Sequence, residues 1–381
     1  MKAKKFKLAK LISIGAALLC LLILLLGLVR AVISPDYEIY YENRPAARFG
    51  APELSSYMDG SYQDSVESAL SDQINLAIKM KKLYNIIDIG FALPLAEALQ
   101  DSTGAYTGLR DIYLYEDILV KKSTSLDEKQ DALDRCSNIL NRYQEALDAE
   151  VYVYYIETDM DMDFVSGRKS GVYEYLCSKL ELPEENIDRL ELGSFDEYRQ
   201  NFLGTDHHWN GNGAYKAYQE ICNMLGGTAL EALGQHSIGG KYLGTRAAGL
   251  EGIKPEVFTV NIINYPAMDI YIDGELVPDY GMQQQFINNE MPSFSYGSVF
   301  GPDCAELVFD TGKPGKNLLV LGDSYDNAIA KALGASFART HFVDLRHFDS
   351  ASFDLVSYAE ENEIDAVLFV GGLSYYCNTL Y

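Results

Sequence analysis

The stretch from Asn317 to Val370 constrains the fold more than any other part of the chain. Leu318–Leu321, Thr340–Leu345 and Ala366–Val370 are short and rich in aliphatic, β-branched or aromatic residues, which predicts three strands. Tyr325–Leu333 and Phe353–Asn362 lie between them with apolar residues at helical spacing, which predicts two helices. A β-α-β-α-β alternation requires a parallel sheet with right-handed crossovers, and so an α/β layer architecture. In such sheets the reactive groups gather beyond the carboxyl ends of the strands. Ser324, which follows Leu318–Leu321 and the pair Gly322-Asp323, falls there.

Upstream, Val151–Ile156 is β-branched and aromatic and predicts the strand that opens this core. Gly213–Leu225 reads as a helix, capped by Asn210 or Asn212 and ended by Gly226-Gly227. Residues 53–150 read as mostly helical, most clearly over Ser125–Ala149. Residues 239–310 are turn-rich with short strands at Val257–Ile263 and Ala267–Ile272, and read as an insertion shaping a rim. Residues 31–75 read as a juxtamembrane stalk or strap, leaving 76–381 as the main α/β domain.

Residues 1–10 carry five lysines, and Leu11–Val29 then contain no charge. About 19 apolar residues suffice to cross a bilayer core as a helix. Residues 1–10 are therefore expected as a cytoplasmic basic tail and 11–30 as a transmembrane anchor, with the rest outside the cell membrane. A cleaved secretory signal is the competing reading and leaves the same part outside. With Arg30, the first 30 positions hold six of the 31 Lys+Arg and none of the 55 Asp+Glu. The remainder is thus strongly acidic, which excludes binding to a phosphate backbone as its function. Five cysteines follow Cys20, without a C-x-x-C pair or a nearby His, so buried thiols are expected and no structural metal.

Chemistry concentrates in Thr205-Asp206-His207-His208-Trp209-Asn210, which holds two of the five histidines and the only tryptophan. In an extended segment residues i and i+2 share a face. Asp206 and His208 then project together, and Asp206 can accept the Nδ1–H of His208 while Nε2 turns to a nucleophile. His207 and Trp209 are expected on the other side. His207 is the alternative base, and Trp209 is a sugar platform or a core anchor. Ser324 is a nucleophile at a strand-to-helix turn or a plain helix cap. Arg346, ending the strand beside that of Ser324, reaches the mouth of the site or forms a surface ion pair. Asp206-x-His208 with Asp323-x-x-Asp326-Asn327 also matches two ligand blocks of two-metal phosphoesterases, although no further His block follows.

Together the Asp-His-His-Trp block, Gly322-Asp-Ser-Tyr325 and Asp344-Leu-Arg346 resemble the DHHW family of bacterial extracytoplasmic proteins. That family is similar to the alginate O-acetyltransferase-like branch of the SGNH (GDSL-type) hydrolases. The resemblance implies a flavodoxin-like three-layer α/β/α fold with a parallel sheet. It makes Ser324 the nucleophile, His208 the base and Asp206 its orienter. It further implies acetyl transfer to, or ester cleavage on, cell-surface polysaccharide, without a cofactor of the protein's own. The acyl donor would come from a membrane-bound, acyl-exporting partner. A Gly-x-Asn oxyanion block of the usual SGNH kind is not found, so the donors expected are the Tyr325 backbone N–H and a residue of the Gly239–Gly249 loop. A non-catalytic, polysaccharide-binding envelope scaffold is the reading from another class.

Overall fold

A computed structural model describes residues 54–73, 100–109, 111–247, 255–281, 291–348 and 353–379, with part of 14–29 and isolated positions at 38–47 and 83. The chain forms two compact units, Met1–Ala98 with Ala247–Ile253, and Leu99–Arg246 with Lys254–Tyr381. In the first, helices α1 (Leu54–Asp59) and α2 (Ser61–Gln73) meet at Gly60, whose φ of 90° suits glycine. Among the described residues no helix is long and apolar enough to cross a membrane. The expected anchor at 11–30 falls only partly among them, where Leu18, Leu22 and Leu26 are helical and exposed. The tail at 1–10 and much of 31–53 lie outside the described residues.

The second unit is built on an eight-stranded mixed sheet. Its parallel half comprises β4 (Glu150–Ile156), β5 (Ile187–Leu190), β12 (Asn317–Leu321), β13 (Arg339–Val343) and β14 (Ala366–Gly371). These run in the order β13-β12-β14-β4-β5. The predicted parallel sheet is therefore present but is not the whole. Strands β8 (Asp269–Ile272), β9 (Glu275–Val277) and β11 (Glu306–Asp310) extend it antiparallel beyond β13. Part of the segment read as a rim insertion thus completes the central sheet.

Strand periodicity explains the layers. On β4, Val151, Val153 and Tyr155 face one core while Tyr152, Tyr154 and Ile156 face the other. Leu318 and Val320 against Leu319 and Leu321 repeat this on β12. A strand buried on both faces must read as a continuous apolar run, which is why these were the most legible strands. Helices α3 (Gln130–Ala146), α4 (Val172–Lys179), α9 (Leu355–Glu361) and α10 (Leu373–Asn378) bury residues in one core. Helices α5 (Phe195–Asn201), α6 (Gly211–Met224) and α8 (Asn327–Ser336) bury theirs in the other. On α6 the buried set Ala214, Ala217, Tyr218 and Ile221 follows helical spacing.

Two segments depart from expectation. Within the stretch read as mostly helical, β1 (Tyr106–Leu109), β2 (Ile112–Tyr115) and β3 (Ile118–Val120) form an antiparallel meander. The connection at Asp111 and Glu116 takes positive φ values of 63° and 52°. A second small sheet joins β6 (Ala232–Tyr242), β7 (Glu256–Ile263) and β10 (Met291–Phe294), followed by the short helix α7 (Tyr296–Phe300). The cysteines are free, with Cys136, Cys222 and Cys377 buried as expected of apolar thiols.

Candidate active site

The Thr205–Asn210 block is a tight loop between α5 and α6. Leu203 N–H donates to His208 O at 3.1 Å and Asn210 N–H to Asn201 O at 2.8 Å, closing it at its base. Asn210, rather than Asn212, caps α6, its side chain accepting from the N–H groups of Asn212 and Gly213. The antiparallel register of β6 and β7 sets Tyr242 opposite Glu256. Glu256 accepts the N–H of Gly204 at 2.9 Å and of Thr205 at 2.8 Å, while the Tyr242 hydroxyl donates to Asp206 Oδ2. Gly244 passes so close that an added Cβ would sit 2.3 Å from the Asp206 Cβ. Only glycine permits that approach.

The loop and the end of β12 bring three predicted groups together. Ser324 Oγ lies 2.8 Å from His208 Nε2, and His208 Nδ1 lies 3.0 Å from Asp206 Oδ1. Asp206 is 0% exposed and His208 5% exposed, whereas Ser324 is half-buried and open to a cavity of about 420 Å³. Four further donors fix the carboxylate: Tyr242 OH, His207 N–H at 2.6 Å, Thr245 Oγ1–H at 2.8 Å and Thr245 N–H at 3.3 Å. The Tyr296 ring of α7 stacks on the His208 imidazole, with centroids 3.9 Å apart and planes 10° from parallel.

Burial lowers the His208 imidazole to about 4, helped by the neighbouring His207 and opposed by Asp206. Burial alone would raise the Asp206 carboxyl, yet the His208 charge and the two histidine hydrogen bonds outweigh it and hold it well below the ordinary value. Burial, then Asp206, pushes the Tyr242 hydroxyl well above its ordinary value, so it stays a donor. At neutral pH the group is thus an ionised carboxylate, a neutral imidazole and a serine hydroxyl in line. Such an arrangement can remove the serine proton and return it to a leaving group.

The structure departs from expectation at His207 and at the oxyanion donors, and decides between the two readings of Trp209. His207 does not turn away: its Nδ1 is 2.9 Å from Asp206 Oδ1 and 2.8 Å from Thr245 Oγ1, and its ring lies 3.8 Å from that of His208. Trp209 is 0% exposed and edge-on to Tyr325, so it anchors the loop and offers no platform to a sugar. The Tyr325 N–H donates to Asp323 Oδ1 at 3.1 Å, and its hydroxyl to His207 O at 2.5 Å, so neither is free for an oxyanion. In the Gly239–Gly249 loop, the N–H groups of Gly244 and Thr245 are spent on Thr205 Oγ1 and Asp206. By contrast, the Ser324 N–H makes no hydrogen bond among the described residues.

Arg346 satisfies both of its readings, lining the cavity while pairing with Asp344 at 2.5 Å and Asp303 at 3.4 Å. Beside it the cavity wall includes Thr158, Arg246 and Gly372, which sequence reasoning missed. Thr158 and Gly372 follow β4 and β14, which are adjacent in the main sheet, while Arg246 follows β6 of the small sheet and is tied to them by its ion pair with Asp159 at 2.7 Å. Asp206, His207 and His208 hold ligand atoms within 4.8 Å of one another. The lone pairs of Asp206 are already taken by protein donors, and His208 Nε2 is on Ser324, so the donor set fits a triad better than a metal. Of the second phosphoesterase block, Asp323 accepts from Tyr325, and Asn327 bonds Asp303 and Tyr280.

No protein-family model matches the chain, and no curated protein sequence matches it significantly. Solved structures do. A DHHW family protein from Eubacterium siraeum matches with a TM-score of 0.55 at 19% identity, over 72% of this chain and 94% of that one. Bacillus cereus PatB1 matches with a TM-score of 0.56 at 21% identity, over 71% of this chain and 98% of PatB1. PatB1 with a sulfonyl adduct matches at 0.54 and 21%, over 71% and 96%. The relation read from the sequence is thereby borne out: the chain shares its fold with a DHHW family protein.

Proposed function

We propose that the chain is a serine-dependent O-acyltransferase or esterase acting, outside the cell membrane, on cell-surface polysaccharide. The observation that carries this is the 2.8 Å contact of Ser324 Oγ with His208 Nε2, backed by Asp206 at 3.0 Å, at the mouth of a cavity. His208 takes the serine proton as Oγ attacks the carbonyl carbon of an ester. The tetrahedral intermediate collapses, and the leaving alcohol receives that proton. A sugar hydroxyl or water, deprotonated by the same imidazole, then attacks the acyl-serine and releases Ser324. The Ser324 N–H, and the backbone of Gly372 across the cavity, are the groups we assign to the developing oxyanion.

A sulfonyl adduct on a protein of the same fold supports a reactive nucleophile in this architecture. The basic tail and apolar run at residues 1–30 support a membrane anchor with the globular unit outside. Acetyl is the group we assign, supplied through a membrane-bound, acyl-exporting partner. The test is p-nitrophenyl acetate turnover with and without a soluble oligosaccharide acceptor. Acetylated oligosaccharide from the wild type, absent with Ser324→Ala, supports transfer, and free acetate alone supports an esterase. Turnover that persists in Ser324→Ala overturns the reading.

A further inference from the structure

A second cavity, of about 480 Å³, lies behind the triad, and neither Ser324 nor His208 lines it. Its walls are the same elements that hold the triad in place. Helix α6, supplying Ala214 and Tyr218, begins directly after the Asp206–His208 loop. Helix α8, supplying Ala328 and Ala332, begins just after Ser324. Helix α7 presents Phe300 to this cavity and Tyr296 to the His208 ring.

The wall chemistry selects the guest. Four tyrosines border the space, and the hydroxyls of three of them are committed elsewhere. Tyr215 OH donates to Leu230 O at 3.0 Å, Tyr218 OH bonds Ser336 Oγ at 2.6 Å, and Tyr280 OH donates to Pro302 O at 3.2 Å. Of the other polar side chains on the wall, Asn261 is bonded to Gly211 O and Asn327 to Asp303, so a sugar or nucleotide would find His236 and the Tyr265 hydroxyl but bury most of its polar groups against carbon. An aliphatic chain has nothing to leave unsatisfied. At the rim Lys331 and Asp279 form a partly exposed pair at 2.5 Å, a locally neutral polar edge. The volume lies within the range of about 300–1,000 Å³ usual for small-molecule sites.

We propose that this cavity binds the aliphatic chain of an uncharged amphiphile, with its polar head at the Lys331–Asp279 pair. The site goes beyond the acyl-transfer reading and does not rest on it. The test uses 1-monodecanoylglycerol, below its micelle-forming concentration, titrated into the full chain by calorimetry. Trp209, the single tryptophan, sits at the entry to α6 and gives a second readout by fluorescence. Ala328→Phe fills the cavity from α8, and Tyr265→Asp puts a charge on its wall from outside any helix or strand. The wild type should bind saturably with one molecule per chain. Each folded variant should bind at least about ten-fold more weakly, a loss of about 1.4 kcal/mol. Ser324 labelling without amphiphile should be unchanged in both. Absence of saturable heat in the wild type, or wild-type affinity in a folded variant, overturns the proposal. Because calorimetry does not depend on Ser324, a catalytically inert protein would still answer the question.

Discussion

Asp206→Asn tests the electrostatic logic of the site with almost no change of shape. Asp206 is fully buried and accepts from His208 Nδ1, His207 N–H, Tyr242 OH and both the N–H and hydroxyl of Thr245. Every one of these partners arrives as a donor. An asparagine keeps one acceptor oxygen and places an NH₂ against donors on the other side. Stranding one or two buried donors costs about 1–3 kcal/mol each, so the variant should lose roughly 2–4 kcal/mol of stability. If the NH₂ faces His208, the imidazole must accept at Nδ1 and carry its proton on Nε2. It then cannot take the Ser324 proton. The same change in the serine-protease triad costs about 10⁴-fold, equivalent to about 5 kcal/mol of transition-state stabilisation. Urea unfolding measures the first quantity, and the rate of fluorophosphonate labelling measures the second. Labelling within about ten-fold of wild type, in a variant shown to be folded, would refute the assignment of Asp206 as orienter.

Other consequences can be checked separately. Because burial holds His208 at about 4, the labelling rate should stay flat as pH falls from 7 to 5 and drop only near 4, whereas an ordinary imidazole would give a drop near 6.5. The same depression makes the unfolded chain bind a proton between about 6.5 and 4 that the folded chain refuses, so stability should fall with pH across that window. His208→Gln should flatten that slope in urea titrations. Gly244→Ala should displace Asp206 and abolish labelling while circular dichroism stays native, since its Cβ would lie 2.6 Å from Asp206 Oδ2. Trp209→Ala should cost about 3–5 kcal/mol through loss of a fully buried anchor, read from thermal unfolding.

The parallel half of the sheet was legible because strands buried on both faces leave unbroken apolar runs, as in Leu318–Leu321 and Ala366–Val370. The i, i+2 relation of Asp206 and His208 was legible because it is local. What distant segments contribute was not legible. Tyr242, Glu256 and Tyr296 reach the loop from the small sheet and from α7, and no spacing in the sequence announces them. The position of His207 failed for a related reason, because Thr245, brought in by the turn after β6, draws the ring back over Asp206. The β1–β3 meander was hidden in a stretch whose tyrosines, glycine and charges carry no helical or strand period. Of the antiparallel extension, β8 was legible as a short strand within 267–272, whereas β9, at the edge of the sheet with Leu276 exposed, and β11, with only Leu307–Phe309 apolar between acidic ends, were not.

The central claim is that Ser324 is an activated nucleophile. Intact-mass measurement of the purified chain after incubation with a fluorophosphonate tests it directly, with Ser324→Ala, His208→Ala and an EDTA-treated sample alongside. A single adduct is expected that maps to Ser324, is lost in both variants and is indifferent to EDTA. A folded wild type that stays unmodified, or an adduct that survives in Ser324→Ala, would contradict it.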